Sequence, residues 1–411
     1  MTRGAIGLRI AIVTLGILPV PAVRGGAVES LVNNLVIENE KFKQLDLEVF
    51  TIYDQQAQNA STQYKNTRFS FVKPFGWVRL MDKLIYIIAK NILKLEKNMS
   101  YRYVLQRLYF IFRVADWLDR NEYDRVVFEN HPTLLMALKR KGNAVKYEGR
   151  YDFHLHNEME NDFNCGDLIR NCNKVLSVSN FMNQYLAKRL PGIEPAKLDV
   201  LRNCVDINRF ASEKNQHTVA VLKQKYGMRD ADKVVLFVGR LTQEKGIKEL
   251  LCAFQKIKAS NTKLLIAGGY FFDSDTSSSY ENELRAIAEG VSNKVIFTGF
   301  IAYDEIPDIY AIADISVIPS IWNDPAPLTV IEAMAAGTPL ITTHSGGIPE
   351  YANERCAIIL ERDLNLIDNL AHSIDKLLSN DALREQMAKN ARETVGDLNL
   401  ENYYQNFVKK L

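Results

Sequence analysis

The stretch Phe237-Val238-Gly239-Arg240-Leu241-Thr242-Gln243-Glu244-Lys245-Gly246 runs from an apolar segment into a glycine turn and sets an arginine and a lysine five residues apart. Two cations at the carboxyl end of a parallel strand suit a diphosphate, and Gly239 lets the backbone come close to it. Taken alone, the pair reads as readily as two solvated surface charges. A second stretch, 323–339, adds two carboxylates, Asp324 and Glu332, around Pro327. Pro327 is expected in the first turn of a helix that stops at Gly337, because the amide that proline lacks is not needed there. The amides of Leu328 and Thr329 would then face an anion, assisted by the helix dipole. Carboxylates at such a rim accept hydrogen bonds from sugar hydroxyls. The plainer alternatives are an N-cap for Asp324 and a solvated helix position for Glu332.

The first half offers three more segments. In Arg24-Gly25-Gly26-Ala27-Val28-Glu29 the glycine pair permits close approach of phosphate or acceptor before a helix starts. Glu129-Asn130-His131-Pro132 follows an apolar strand, and His154-Leu155-His156-Asn157-Glu158 falls where loops line a binding site. The histidines suit hydrogen bonding to the hydroxyls of a polar ligand, and equally a structural role. His154 and His156 share a strand face, with Cys165 and Cys172 following, but these spacings match no standard zinc arrangement. Asp273-Ser274-Asp275 sits in a serine-rich loop rather than after a strand. No metal is expected.

These residues must be held by alternating short β-branched runs and helical patterns, the sequence form of an α/β protein with parallel sheets. Strands are expected at 8–15, 47–52, 125–129, 175–178 and 199–201, and then at 233–238, 263–267, 294–297, 315–318 and 339–342. A break at Asn203-Cys204-Val205-Asp206, followed by polar residues, places a domain boundary between 205 and 206.

Length and composition bound the rest. A chain of 411 residues with 47% hydrophobic and 24% charged residues builds large cores rather than a disordered tail. A net charge of +2 gives no global reason to bind nucleic acid. Five scattered cysteines without a C-x-x-C pair fit a reduced, cytoplasmic setting. The apolar stretch 5–23 is interrupted by Arg9 and lacks an A-x-A site, so it reads as a buried strand rather than a secretory leader. No run is long enough to span a bilayer. One segment departs from the average: residues 68–113 hold ten basic residues, ten aromatics and two acids, Asp82 and Glu96. Lys83, Lys90, Lys94 and Lys97 recur at helical spacing beside Leu84, Ile87, Ile88 and Leu95, as in a helix lying on an anionic membrane surface. The expected location is therefore peripheral, at the inner face of the membrane, with a solvated basic helix as the alternative.

The 237–246 and 323–339 stretches resemble the signature of the retaining glycosyltransferases of family 4, which have the GT-B architecture. Thr298-Gly299-Phe300-Ile301, the 313–320 run and Gly346-Gly347-Ile348-Pro349-Glu350 are similar to that family's C-terminal half, and 203–206 to its interdomain segment. Segments 129–132 and 154–158 resemble a bacterial surface-polysaccharide and spore-coat branch. The resemblance implies two doubly wound parallel-sheet domains facing across a cleft. Residues 1–205 would bind the acceptor, a terminal helix at about 398–411 would pack back on them, and residues 206–397 would bind a nucleotide-sugar. It also implies that Arg240 and Lys245 hold the donor diphosphate, Asp324 meets the donor sugar and Glu332 the ribose. The donor would be a UDP-sugar rather than a GDP-sugar, the acceptor a glycan or a lipid-linked sugar, and no cofactor or metal would be needed. Two departures stand out: Asp replaces the usual first Glu of E-x7-E, and Ala326-Pro327 replaces Phe-Gly, so one backbone N–H is lost. The alternatives are a non-catalytic coat or scaffold protein on the same fold, or a GT-B phosphorylase or epimerase.

Overall fold

The computed structural model describes residues 7–93, 101–211, 215–269, 279–291 and 294–411. Lys94, Leu95, Glu96 and Lys97, and the Asp273-Ser274-Asp275 triplet, lie outside the described residues. The chain divides into two compact units, one of Met1–Leu201 with Tyr403–Leu411 and one of Arg202–Asn402.

Unit 1 is built on seven strands: β1 (Leu8–Val13), β2 (Leu45–Ile52), β3 (Thr67–Val72), β4 (Arg125–Glu129), β5 (Tyr151–Leu155), β6 (Val175–Ser177) and β7 (Leu198–Val200). They lie in the order β3-β2-β1-β4-β5-β6-β7, and every pairing is parallel. Unit 2 has six: β8 (Lys233–Val238), β9 (Thr262–Ala267), β10 (Val295–Gly299), β11 (Ile315–Ile318), β12 (Leu340–Thr343) and β13 (Ala357–Leu360). Their order is β10-β9-β8-β11-β12-β13, again all parallel. Central strands such as Ile10-Ala11-Ile12-Val13 and Val234-Val235-Leu236-Phe237 are buried along their length, as strands covered on both faces by helices must be.

In each sheet the order reverses beside one strand pair, between β1 and β4 in unit 1 and between β8 and β11 in unit 2. Loops leaving the carboxyl ends of such a pair diverge to opposite faces and leave room for a ligand. The segments singled out from the sequence leave these strands: Gly25-Gly26 follows β1, Asn130-His131 follows β4, Arg240 to Lys245 follow β8, and Asp324 follows β11.

Three strands escape the sequence expectation, β3, β5 and β13. One helix start is also corrected. Pro327 is the capping residue before the helix Leu328–Ala335, with extended backbone (φ −68°, ψ 126°), rather than a member of its first turn. Proline fits there because its ring fixes φ while ψ remains free to be extended.

The C-terminal helix Leu400–Lys410 belongs to unit 1 at its far end. Tyr404 donates its hydroxyl to Asn39 Oδ1 at 2.7 Å and stacks on Phe42, and Lys410 Nζ meets Asp199 Oδ1 at 2.6 Å. Lys174 and Arg125 donate to the carbonyl oxygens of Lys410 and Leu411.

Candidate functional site

In unit 2 the loop after β8 and the loop after β11 are stitched together through backbone. Gly246 has φ +70° and caps the helix Ile247–Phe254; a Cβ there would stand 1.9 Å from the Pro319 carbonyl oxygen, so only glycine allows the approach. The Ile321 N–H donates to the Glu244 carbonyl at 3.0 Å. This contact carries Lys245 over the following turn, where its ammonium donates to Asp324 Oδ2 at 2.6 Å and lies 5.6 Å from the centre of the Trp322 ring. Asp324 is buried and also accepts from Ser320 Oγ at 3.4 Å. It is therefore the partner of a lysine 79 residues away, not the cap of the following helix.

Arg240 lies on the same loop as Lys245 and is exposed; its carbonyl accepts the Thr242 N–H at 3.0 Å, and its guanidinium has no hydrogen-bond or ion-pair partner among the described residues. Gly239, at φ 152°, donates its N–H to the Ala267 carbonyl at 3.0 Å. Leu328 and Thr329 are the first two residues of their helix, so their amides have no acceptor within it. Glu332 is one turn further on and is buried, which removes the solvated alternative. Tyr310 donates its hydroxyl to Glu332 Oε2 at 3.3 Å. Burial pushes the Glu332 carboxyl up to about 7, against the opposing pull of the Tyr310 hydrogen bond and of Arg209. Asn203, from the segment joining the units, donates through Nδ2 to the Ala326 carbonyl at 2.9 Å, fixing the loop between the two carboxylates.

Unit 1 assembles a second group of polar residues at its own strand ends. Gly25 and Gly26 both have positive φ, 73° and 102°. A Cβ on Gly26 would come within 2.2 Å of the Glu29 carboxylate, which is buried and pushed by that burial up to about 8. Glu129 at the end of β4 faces both histidines of β5 and its following loop: His154 Nδ1 is 3.1 Å and His156 Nε2 2.8 Å from Glu129 Oε2. Burial alone would raise the Glu129 carboxyl, but the two imidazoles outweigh it and hold it below the usual carboxylate range. Burial, with His154 alongside, pushes His156 down to about 4, so at neutral pH its Nε2–H donates to the carboxylate.

These three residues form the one group of potential metal ligands among the described residues, with ligand atoms within 4.8 Å of one another. Cys165 and Cys172, which follow the histidines in sequence, are not in this group; their thiols donate to the carbonyls of Phe163 and Lys174. Glu129 was named with its segment but given no role, because its meeting with the histidines depends on the pairing of β4 with β5, a strand absent from the sequence expectation. Asn130 adopts the left-handed conformation (φ 62°) and accepts the N–H groups of His156 and Asn157 at 3.1 and 3.0 Å, holding the histidine loop in place. His131 accepts from Arg107 at Nε2 (2.9 Å) and has Thr133 Oγ1 2.8 Å from Nδ1, and burial pushes it down to about 3.

Two all-parallel, Rossmann-like sheets, each with polar loops at its switch point, define an α/β protein of the GT-B class. The chain belongs to the group 1 glycosyl transferases, whose family model matches residues 218–394. It is 30% identical over 399 residues to the putative glycosyltransferase YtcC of Bacillus subtilis (strain 168), covering 94% of this chain and 88% of that one. Spore coat protein SA of the same organism is 26% identical, with 94% of each chain covered. Among solved structures, Anabaena Alr3699/HepE in complex with UDP-glucose superposes with a TM-score of 0.74 at 17% identity over 98% of each chain, a likeness of fold.

Proposed function

We propose that the chain is a retaining glycosyltransferase of the family 4 type, independent of metal. It would move a hexose-type sugar from a UDP-sugar to a glycan or lipid-linked acceptor in bacterial cell-surface polysaccharide synthesis. The observation that carries this reading is the Lys245–Asp324 pair at the β8/β11 switch point, beside Arg240, whose guanidinium is exposed and has no partner among the described residues. An ammonium already held over the loop and an exposed guanidinium supply two cations for a diphosphate, and both can neutralise the charge that grows on it as the sugar leaves. When Lys245 turns to the diphosphate, Asp324 is released to accept from sugar hydroxyls. Glu332 is assigned to the ribose, and the amides of Leu328 and Thr329, beside Gly239, to the phosphates. The bond from the anomeric carbon to the diphosphate oxygen breaks, the acceptor oxygen attacks from the same face, and a leaving-group phosphate oxygen takes its proton. No side-chain nucleophile is assigned. Residues 206–397 would hold the donor, and 1–205 with 398–411 the acceptor, near Gly25, Gly26, Asn130, His131 and His156. The Anabaena neighbour, described in complex with UDP-glucose, supports a UDP-sugar donor at the level of the fold.

The test is slow donor hydrolysis by the pure protein over a panel of nucleotide sugars, before and after dialysis against EDTA. A UDP-sugar should be turned over, with most of the rate surviving the chelator. Full loss restored only by Mn²⁺ or Mg²⁺ would instead assign the carboxylates, or the Glu129–His154–His156 group, to a cation. A second reading, a non-catalytic coat protein, has the name of one relative in its favour; it predicts no turnover of any donor.

A further inference from the structure

The helix Gly76–Ile87 and the single π-helical turn Ile88–Ile92 that continues it present an apolar stripe to solvent. Val78, Asp82 and Ala89 form the buried side. Trp77, Leu80, Met81, Leu84, Ile87 and Ile88 recur at three- and four-residue spacing on the exposed side, with Trp77 63% and Leu80 60% exposed. Ile92 and Leu93 extend the stripe, at 70% and 59%. Ordinary surface helices turn such a stripe inward. Arg79, Lys83 and Lys90 line its edge; all three are exposed and none has an ion-pair partner among the described residues.

This orientation is fixed rather than incidental. The buried Asp82 carboxylate accepts the backbone N–H groups of Leu105 and Gln106 at 2.8 and 2.9 Å, locking the helix to the start of the next one, Val104–Arg120. That second helix adds exposed Leu108 and Phe112. Asp82 is the one acid among the described residues of 68–113, and it is spent on this lock.

We infer that this face is a docking surface for an anionic lipid bilayer, with the Gly76–Ile92 segment lying in the headgroup plane, its apolar stripe inserted and Arg79, Lys83 and Lys90 at phosphate level. Amphipathic segments of this kind, with a tryptophan at one end and cations at the border, bind by apolar burial plus attraction to anionic headgroups. Charge decides between a bilayer and a second copy of the chain. An isologous contact would bring two sets of unpaired cations face to face, whereas an anionic surface neutralises them. The surface is also tied to the strand-end loops of its own unit: Gln106 Nε2 donates to the Gly16 carbonyl at 3.1 Å, and Arg107 to His131. A lipid-linked acceptor held at the bilayer would thus meet the loops that follow β1 and β4.

The surface residues all belong to unit 1 and the proposed donor residues to unit 2, so vesicle binding and donor hydrolysis fail independently. The full chain is sedimented with vesicles of phosphatidylcholine alone or with one-third phosphatidylglycerol, at low and high salt. Binding to the anionic vesicles, weakened by salt, is expected. Arg79→Gln/Lys83→Gln/Lys90→Gln should weaken it about a hundredfold, and Leu80→Glu/Leu84→Glu should abolish it, both with unchanged donor hydrolysis. No binding to either vesicle, or variants that bind like the parent, would overturn the inference. So would a dimer that Leu80→Glu/Leu84→Glu dissolves in a chain that does not pellet with lipid, since that would make the face a self-interface.

Discussion

Lys245→Ala should lower turnover of the donor by about a hundredfold to a thousandfold, the usual cost of removing a charged group that stabilises a departing anion. The same change leaves the buried Asp324 carboxylate with the Ser320 hydroxyl as its one hydrogen-bond donor among the described residues, so the melting temperature should fall too. The two effects come apart in a double variant. Lys245→Ala/Asp324→Asn removes the stranded charge and should recover most of the lost thermal stability, while turnover stays low. Recovery of both would mean that Lys245 serves only to neutralise Asp324, and would remove it from the diphosphate. Arg240→Lys, at an exposed side chain with no partner among the described residues, should leave melting untouched and weaken donor binding, since an ammonium lacks the planar two-pronged contact of a guanidinium.

Glu332→Gln should move stability and ligand binding in opposite directions. The carboxyl titrates at about 7 in the folded protein, against 4.5 for an unburied glutamate, because burial disfavours its charge. Between those two values the folded state binds the proton more tightly than the unfolded state. The contribution of this group to stability is therefore full below about 4.5 and is lost as pH rises through about 7. Glutamine keeps the shape and the Tyr310 contact but carries no charge, so thermal melts at pH 8 should show the variant more stable, by about 1–3 kcal/mol, with no gain at pH 4.5. Affinity for an intact UDP-sugar should fall about tenfold to a hundredfold, as expected for loss of a charged acceptor to the ribose. In the parent protein that affinity should rise with pH through 7. Calorimetric titration at pH 6 and 8 checks the last point; equal affinity at both, in parent and variant alike, would place the ribose elsewhere.

The strands with continuous apolar sequence were legible without coordinates. β4, β8 and β11 fall where their β-branched runs place them, and both switch-point loops follow from that. The strands that escaped have mixed sequences. β5, Tyr151-Asp152-Phe153-His154-Leu155, is buried throughout yet carries an acid and a histidine, so it lacks the continuous apolar run that marks the other central strands. β3 alternates at a sheet edge inside the basic, aromatic segment, and β13 is four residues long at the opposite edge of the other sheet. The residue types of the candidate site could be read from spacing, but not their pairing. Lys245 meets Asp324 because β8 and β11 are neighbours, and Glu129 meets two histidines because β4 and β5 are, which is a matter of strand order rather than local sequence. Nor does amphipathic periodicity say which side faces water; in Gly76–Ile87 the apolar stripe is the outer one, with no covering element among the described residues.

The return of the helix Leu400–Lys410 to unit 1 imposes an order of events on the ribosome. Unit 2, Arg202–Asn402, is contiguous and can complete its sheet as soon as it has emerged from the exit tunnel. Unit 1 cannot: although its strands are synthesised first, the side chains that cover Asn39 and Phe42 and neutralise Asp199 are those of Tyr404 and Lys410, made after unit 2. The first half of the chain must therefore wait, with that patch open, through the synthesis of some two hundred further residues. Until those residues arrive, Asn39, Phe42 and Asp199 lack these partners, so unit 1 reaches its final packing only after the sequence of unit 2 has been made.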